Sequence, residues 1–232
     1  MKIRNIMALA LALTFSTSVL GAERKAPKDI DVAKLTQETQ QASYASGVHI
    51  AWWIPQEYWE ASLAHDANVT EEGRKRFLAT LDHYSMLAVV QAEVGIMGNF
   101  SYYDRDVVLK GLRVELSNGK EWSPLEPLNE VPKDVAPLIR VLTPILESAM
   151  GPLGQNMNFF VLQDRKKGKR LVSPDQPGGL RITLTDRQGT TLEPFLIEFP
   201  LDSLFVPRRC PNGKPAHISW SVCPWDGSKL PE

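Results

Sequence analysis

The sequence predicts an α+β fold: a mostly antiparallel β-sheet or sandwich with two or three packed helices and a small C-terminal ribbon-like appendage. Helix and strand patterns occur in groups along the chain rather than alternating one for one, which favours this class over a doubly wound α/β fold. Apolar residues recur with a period of two over 86–96, as in a strand. Asn118-Gly119 separates two further strand-like segments, and this dipeptide is typical of a type I′ hairpin turn.

Residues 1–22 have the pattern of a secretory signal peptide. Lys2 and Arg4 precede the apolar run 6–13, and small residues lead to Ala22. Charged residues follow at once, which favours a cleaved signal over the alternative of an N-terminal membrane anchor. We therefore expect a periplasmic or secreted protein without stable membrane insertion, because no other apolar run reaches the length of a membrane span.

The charge balance argues against nucleic acid as a partner. The chain has 26 basic and 27 acidic residues; removal of residues 1–22 takes away Lys2 and Arg4 and no acidic residue, which leaves 24 against 27. A net charge of about −3 lacks the basic excess on which binding to phosphates depends. A mature chain of about 210 residues is long enough for one domain with a substantial core.

Three regions are expected after the signal peptide. The polar segment 23–46 has few large apolar side chains and is predicted to be a flexible leader. The α+β domain is predicted over 47–207. Residues 208–232 form the appendage.

The domain is predicted to begin with a strand and two helices. The strand covers 48–53, and Pro55 then suits the first turn of a helix whose apolar face includes Tyr58. Thr70 is the expected N-cap of the second helix, because acidic residues that favour a helix N-terminus follow it directly.

The strand predicted at 86–96 is expected to have one buried face. Gln91 and Glu93 have one parity, and the opposite parity is apolar throughout: Met86, Ala88, Val90, Ala92, Val94 and Ile96. This pattern assigns Ile96 to the core.

The rest of the domain is predicted to contain a hairpin, a helix and three strands. Leu138, Leu142 and Ile145 lie on one side of the helix predicted over 134–152. Pro144 either kinks this helix or starts a second one capped by Thr143. The strands are predicted at 156–163, 179–186 and 190–201.

Aromatic residues are concentrated at one place in the chain. Trp52, Trp53, Tyr58 and Trp59 could form a binding surface for an apolar ligand or a sugar, or they could pack the first helix onto the sheet. Trp52 and Trp53 must point to opposite faces of a strand. The sheet therefore needs a second covering layer, or one of the two indoles faces a ligand.

The common catalytic motifs are absent from the sequence. It contains no nucleophile elbow, no HExxH zinc motif, no phosphate-binding loop and no dinucleotide fingerprint. The strongest candidates for a general-base or metal site are His65, Asp66, His83 and Glu93. The alternative is that the two histidines interact with helix C-termini.

A basic segment at 164–170 concentrates five positive charges. Its position between a strand and a Pro- and Gly-containing loop indicates a solvated hairpin tip. The functional alternative is contact with an anionic envelope component.

The tail contains the only two cysteines, in "CPNG" at 210–213 and "CPWDG" at 223–227. These motifs resemble the CPxCG knuckles of the zinc-ribbon family with half of the cysteine ligands missing. The resemblance covers about 20 residues and implies ancestry or geometry, with no metal bound. The rest of the chain resembles only exported bacterial proteins of unknown function.

Three arrangements are open for the tail cysteines. A mixed zinc site would use Cys210, His217, Cys223 and Asp226. A redox-active pair is a second arrangement, although catalytic disulfides favour CxxC spacing. The third and preferred arrangement is a structural disulfide Cys210–Cys223, because an oxidising compartment is expected and no cysteine is left over.

The sequence predicts a non-enzymatic exported envelope protein, without cofactor or metal, that binds an unknown protein or another envelope component. The alternatives are a periplasmic hydrolase without a recognised motif and a metal-handling protein that uses its tail. A binding module predicts an exposed apolar patch, whereas an enzyme predicts polar side chains that converge in one pocket.

Overall fold

The computed structural model describes residues 22–45 and 47–230. The α-helices are α1 Val32–Thr39, α2 Gln56–His65, α3 Glu71–Leu81, α4 Arg105–Gly111 and α5 Ala136–Ala149. Short 3₁₀ helices occur at Pro27–Asp29, Gly151–Asn156 and Asp202–Leu204. The strands are β1 Gln40–Ser43, β2 Val48–Ile54, β3 Tyr84–Val94, β4 Phe100–Tyr102, β5 Arg113–Ser117, β6 Trp122–Pro124, β7 Asn158–Gln163, β8 Arg165–Lys166, β9 Lys169–Arg170, β10 Gly178–Thr183, β11 Phe195–Phe199, β12 Arg208–Arg209 and β13 Pro215–Ala216.

The strands form two main antiparallel sheets, and this confirms the predicted α+β class. The five-stranded sheet has the order β1-β2-β3-β4, and β7 pairs with the first half of the long strand β3. The four-stranded sheet has the order β11-β10-β5-β6. Two small hairpins, β8–β9 and β12–β13, lie outside these sheets.

The five-stranded sheet is the middle layer of the molecule. Leu87 and Val89 of β3 contact the core shared with the four-stranded sheet, whereas Met86 and Val90 contact a second core on the opposite face. Residues 85–92 of β3 are all buried. The expectation of one buried face was therefore wrong. Alternation of apolar and polar residues shows which side chains share a face, but it does not show whether the face with the polar residues is also covered.

The first core lies between the two sheets. The five-stranded sheet contributes Trp53 and Phe160, and the four-stranded sheet contributes Leu180 and Ile197. All four side chains are buried. This face-to-face packing of antiparallel sheets is the sandwich arrangement that the strand grouping predicts.

The second core lies between the five-stranded sheet and the helices. Leu142 and Leu146 of α5 pack here with Leu81 of α3. Ile145 is exposed, so the buried stripe of α5 is rotated from the predicted one. Helix α5 continues through Pro144, and the Thr143 hydroxyl donates back to the Ile139 carbonyl at 2.8 Å rather than capping a second helix.

The segment 23–46, expected as a flexible leader, contains regular structure over most of its described residues. The Asp31 side chain accepts hydrogen bonds from two backbone N–H groups and caps α1. Leu35 of α1 is fully buried in the first core. Strand β1 then pairs with β2 over Gln40–Ser43. This segment is ordered although it has few large apolar side chains. An edge strand such as β1 forms through backbone hydrogen bonds, and one or two buried leucines or isoleucines are enough to hold a short helix against the core.

Two local predictions have different outcomes. Thr70 caps α3 as predicted, since its hydroxyl accepts a hydrogen bond from the Gly73 N–H at 3.1 Å. The turn at Asn118-Gly119 is not type I′, because only Gly119 has a positive φ, of 85°. The Asn118 side chain instead accepts hydrogen bonds from the backbone of Lys120 and Glu121.

The predicted signal peptide, apart from its last residue, lies outside the described residues. Within residues 22–45 and 47–230, no helix combines the length and apolar character needed to cross a bilayer.

Candidate functional site

The aromatic cluster predicted as a possible binding surface lies mainly in the interior. Trp52, Trp53 and Trp59 are at most 5% exposed, and Tyr58 is half-buried between its neighbours. The ring centroids of Trp52 and Tyr58 lie 5.3 Å apart, and the two rings meet edge to face. Trp53 points the other way, with its ring 5.3 Å from that of Phe199. These residues present no exposed aromatic platform, because both faces of β2 are covered.

The candidate hydrolase residues do not converge. His83 directly precedes β3 and Glu93 lies near its other end, so about 30 Å of extended strand separates them. The Nε2 atom of His65 lies 3.2 Å from the carbonyl oxygen of Ile30. Among residues 22–45 and 47–230, no group of three His, Cys, Asp or Glu side chains could hold a metal ion.

The basic segment 164–170 forms the hairpin β8–β9 with a solvated tip. Arg165 forms an ion pair with Asp82, and Arg170 forms one with Glu57. Two of the five positive charges of the segment are therefore engaged in contacts within the protein. Lys166, Lys167 and Lys169 are exposed.

A buried ion pair connects this hairpin to α2. Arg170 donates from Nη1 and Nη2 to the two carboxylate oxygens of Glu57, at 2.6 and 2.9 Å. Arg24 adds a third contact at 3.2 Å. Burial alone would raise the pKa of Glu57, but the hydrogen bonds and charge of Arg170 lower it below its ordinary value. The same arginine lies 3.4 Å from the buried carboxylate of Asp164, whose pKa is raised because burial outweighs this attraction. These groups join three segments of the chain and are a structural network.

The tail contains the predicted disulfide, Cys210–Cys223, with Cα atoms 5.6 Å apart. The zinc-ribbon interpretation was wrong. The two thiols are bonded to each other, and the described residues include no metal-binding group. His217 and Asp226, the other two candidate ligands, bond to Ser219 and Ser228 respectively.

An open groove of about 520 Å³ lies beside α4 and the loop between β10 and β11. Its charged lining includes Lys110, Asp186 and Arg187. The Asp186 carboxylate accepts a hydrogen bond from the Thr190 N–H, and Arg187 contacts Glu93. The groove has no histidine or cysteine in its lining, and two of its charged groups hold loops together.

The hairpin β3–β4 presents the most exposed large apolar side chains of the described chain. Ile96 and Met97 at its turn are 106% and 92% exposed. Val94 and Phe100, which pair across the two strands behind the turn, are about half exposed. We call Val94, Ile96, Met97 and Phe100 the apolar tip.

The backbone of the apolar tip is a closed, tight turn. The Gly95 N–H donates to the Asn99 carbonyl, and the Gly98 N–H donates to the Gly95 carbonyl, both at 2.8 Å. Gly98 has φ of 79°, as the left-handed third residue of a three-residue hairpin loop requires. The turn therefore holds the two apolar side chains at its apex, where hairpins usually carry polar residues.

The apolar tip belongs to an end of the five-stranded sheet where charge is sparse. The segments 39–48 and 94–103 contain no Asp, Glu, Lys or Arg. Pairing of Val48 with Ala92 brings the β1–β2 loop, with its exposed Tyr44, beside the end of β3.

An ion pair behind the apolar tip neutralises the nearest carboxylate. Arg187 lies 3.3 Å from Glu93, and the Tyr103 hydroxyl donates to Glu93 at 2.9 Å. Burial and the hydrogen bond to Glu93 keep the pKa of Tyr103 above its ordinary value, against the opposing hydrogen bond from the Arg187 backbone. The base of the hairpin is thus braced by side-chain bonds.

The sequence analysis missed the apolar tip because it continued the period-two pattern of the strand past Val94 and assigned Ile96 to the core. Two signals mark the end of the strand. Gly95 and Gly98 bracket Ile96-Met97, and the strand segment that follows, 100–102, has no charged residue. A Gly-x-x-Gly spacing within a β pattern indicates a turn, and the apolar residues between the glycines then lie at its apex.

Comparisons of the chain with protein-family models, with curated proteins and with solved structures found no match in any of the three. The functional assignment therefore depends on the geometry of this chain. Its most distinctive surface feature is the apolar tip.

Proposed function

We propose that this protein is an exported, non-enzymatic binding module that contacts an envelope component through the apolar tip. The observation that carries the proposal is the full exposure of Ile96 and Met97 on an ordered turn. Exposed large apolar side chains that are clustered rather than scattered mark interaction sites.

The energy available at the apolar tip fits a binding role. Transfer of one Ile or Met side chain from water to an apolar environment is worth about 1.5–3 kcal/mol. Since the tip adds nothing to either core, the fold has no need of apolar residues at these positions. Export is supported by the signal-like pattern of residues 1–22 and by the disulfide, which favours an oxidising compartment.

A binding module accounts for the described residues better than a hydrolase does. The candidate acid–base residues lie apart, and two of the charged groups of the groove beside α4, Asp186 and Arg187, are engaged in hydrogen bonds that hold loops. The apolar tip has no polar side chain at its apex to act on a substrate.

Photo-crosslinking in cells tests this proposal. A photoreactive phenylalanine derivative replaces Met97 in one variant and Leu196 in a control. Leu196 is 48% exposed and lies on the outer face of the four-stranded sheet, so it offers an apolar position away from the tip. We expect adducts from position 97, with either protein or lipid, at several times the yield from position 196. Equal yields at the two positions would contradict the proposal.

A further inference from the structure

We infer that the occupant of the apolar tip is the surface of a lipid bilayer, which the tip enters shallowly and reversibly. This inference rests on the proposed function and specifies its partner. Ile96 and Met97 would lie among the acyl chains, with the hairpin standing upright on the membrane.

The distribution of charge favours a bilayer over a protein surface. The run 94–103 has no charged residue, nor does the neighbouring segment 39–48. A charged side chain in the hydrocarbon region is costly, whereas protein interfaces commonly include charged anchors such as arginine. The nearest charges, Glu93 and Arg187, pair with each other. Glu93 lies three residues before Ile96, about 10 Å along the strand, so it stays outside a shallow insertion.

The shape and aromatic content of the hairpin also fit the membrane interface. A convex apex of two side chains buries little area on a flat protein surface, but a fluid bilayer closes around it. Behind the apex lie Phe100 and Tyr102, with ring centroids 5.9 Å apart, and Tyr44 in the adjacent loop is 66% exposed. Tyrosine prefers the level of the lipid head groups, where its ring is apolar and its hydroxyl is hydrated.

The position of the basic hairpin makes a specific prediction about lipid charge. Residues 164–170 follow the end of β7, which pairs with Tyr84 at the start of β3. The exposed lysines and the apolar tip therefore lie at opposite ends of the five-stranded sheet, about 30 Å apart. Docking through the tip should require neither anionic lipid nor low salt.

Vesicle flotation tests the inference with the exported, processed protein. Neutral phosphatidylcholine vesicles are compared with the same vesicles containing phosphatidylglycerol, at ~0.1 M and ~1 M salt. We expect equal binding to both, unchanged by salt. The double variant I96S/M97S should bind at least about tenfold more weakly, because it loses the burial of two large apolar side chains. The matched control V141S/I145S, which removes two exposed apolar side chains from α5, should bind like the wild type.

Other outcomes overturn the inference and identify what replaces it. Binding only to anionic vesicles at low salt would assign the contact to the basic hairpin. A concentration-dependent dimer that I96S/M97S abolishes would make a second copy of the chain the occupant. Absence of vesicle binding, together with protein adducts from position 97, would refute the bilayer but leave the proposed function intact. Absence of both would refute both.

Discussion

At the scale of single residues, the buried carboxylate of Glu57 connects α2 to the hairpin β8–β9. It is 1% exposed and meets Arg170 through two hydrogen bonds. Its removal leaves a partly buried guanidinium with only the weaker contact to Asp164. The loss of one partner of a buried pair costs more than the pair itself contributes.

Glu57→Gln should destabilise the protein by about 3 kcal/mol at neutral pH, at the lower end for a broken buried pair, because Asp164 remains beside Arg170. Chemical denaturation measures the change. Because the pKa of Glu57 is lowered in the folded protein, its contribution is complete above its ordinary value of 4.5 and is lost as the pH falls through the folded-state pKa. The difference between wild type and E57Q should therefore shrink in acid.

The control for E57Q is Glu115→Gln, which breaks the half-exposed pair with Arg181 at 3.2 Å. This substitution should lower the free energy of unfolding by less than about 1 kcal/mol. A similar loss of stability in both variants would show that the burial of Glu57 does not determine how much it contributes to the free energy of unfolding.

At the scale of elements, the tail is a small unit held by its disulfide. Its own cluster consists of Cys210, Ala216, Cys223 and Leu230. Ile218 of the tail packs into the first core, and its N–H donates to Asp202 at 2.9 Å. With so little buried apolar area, the tail depends on the covalent link.

The double variant C210S/C223S should lose about 3 kcal/mol of tail stability, the chain-entropy value for a loop of this size. We expect proteolytic cleavage within 208–230 to accelerate strongly, while the unfolding midpoint of the domain changes little. Reductant should make the wild type behave like the variant and leave the variant unaffected. A large fall in the domain midpoint would instead show that the tail supports the main cores.

At the scale of the whole molecule, the middle-layer position of the five-stranded sheet decides where the tryptophans lie. Trp52 and Trp53, neighbours on β2, are buried in different cores, and Trp59 of α2 joins the second core. The remaining three of the six tryptophans are at least 39% exposed: Trp122, Trp220 and Trp225.

Iodide should therefore quench about half of the native tryptophan fluorescence, and all of it after denaturation, because ions do not enter packed cores. Trp122→Phe should reduce the quenchable fraction, and Trp53→Phe should reduce the protected fraction. Quenching of all six tryptophans in the native protein would contradict the three-layer arrangement.

The sequence alone indicated the α+β class, the cap at Thr70, the preference for a disulfide between Cys210 and Cys223, and the alternation of side chains along β3. These features depend on neighbouring residues or on a count of cysteines, which the linear chain contains in full. Only the tertiary structure decided that both faces of β3 are covered, that the Trp52–Trp59 cluster is core and that Ile96 is exposed. The physical reason is that a period of two shows which side chains share a face. Whether that face meets another layer, and where a strand ends in a turn, depends on contacts between segments far apart in the chain.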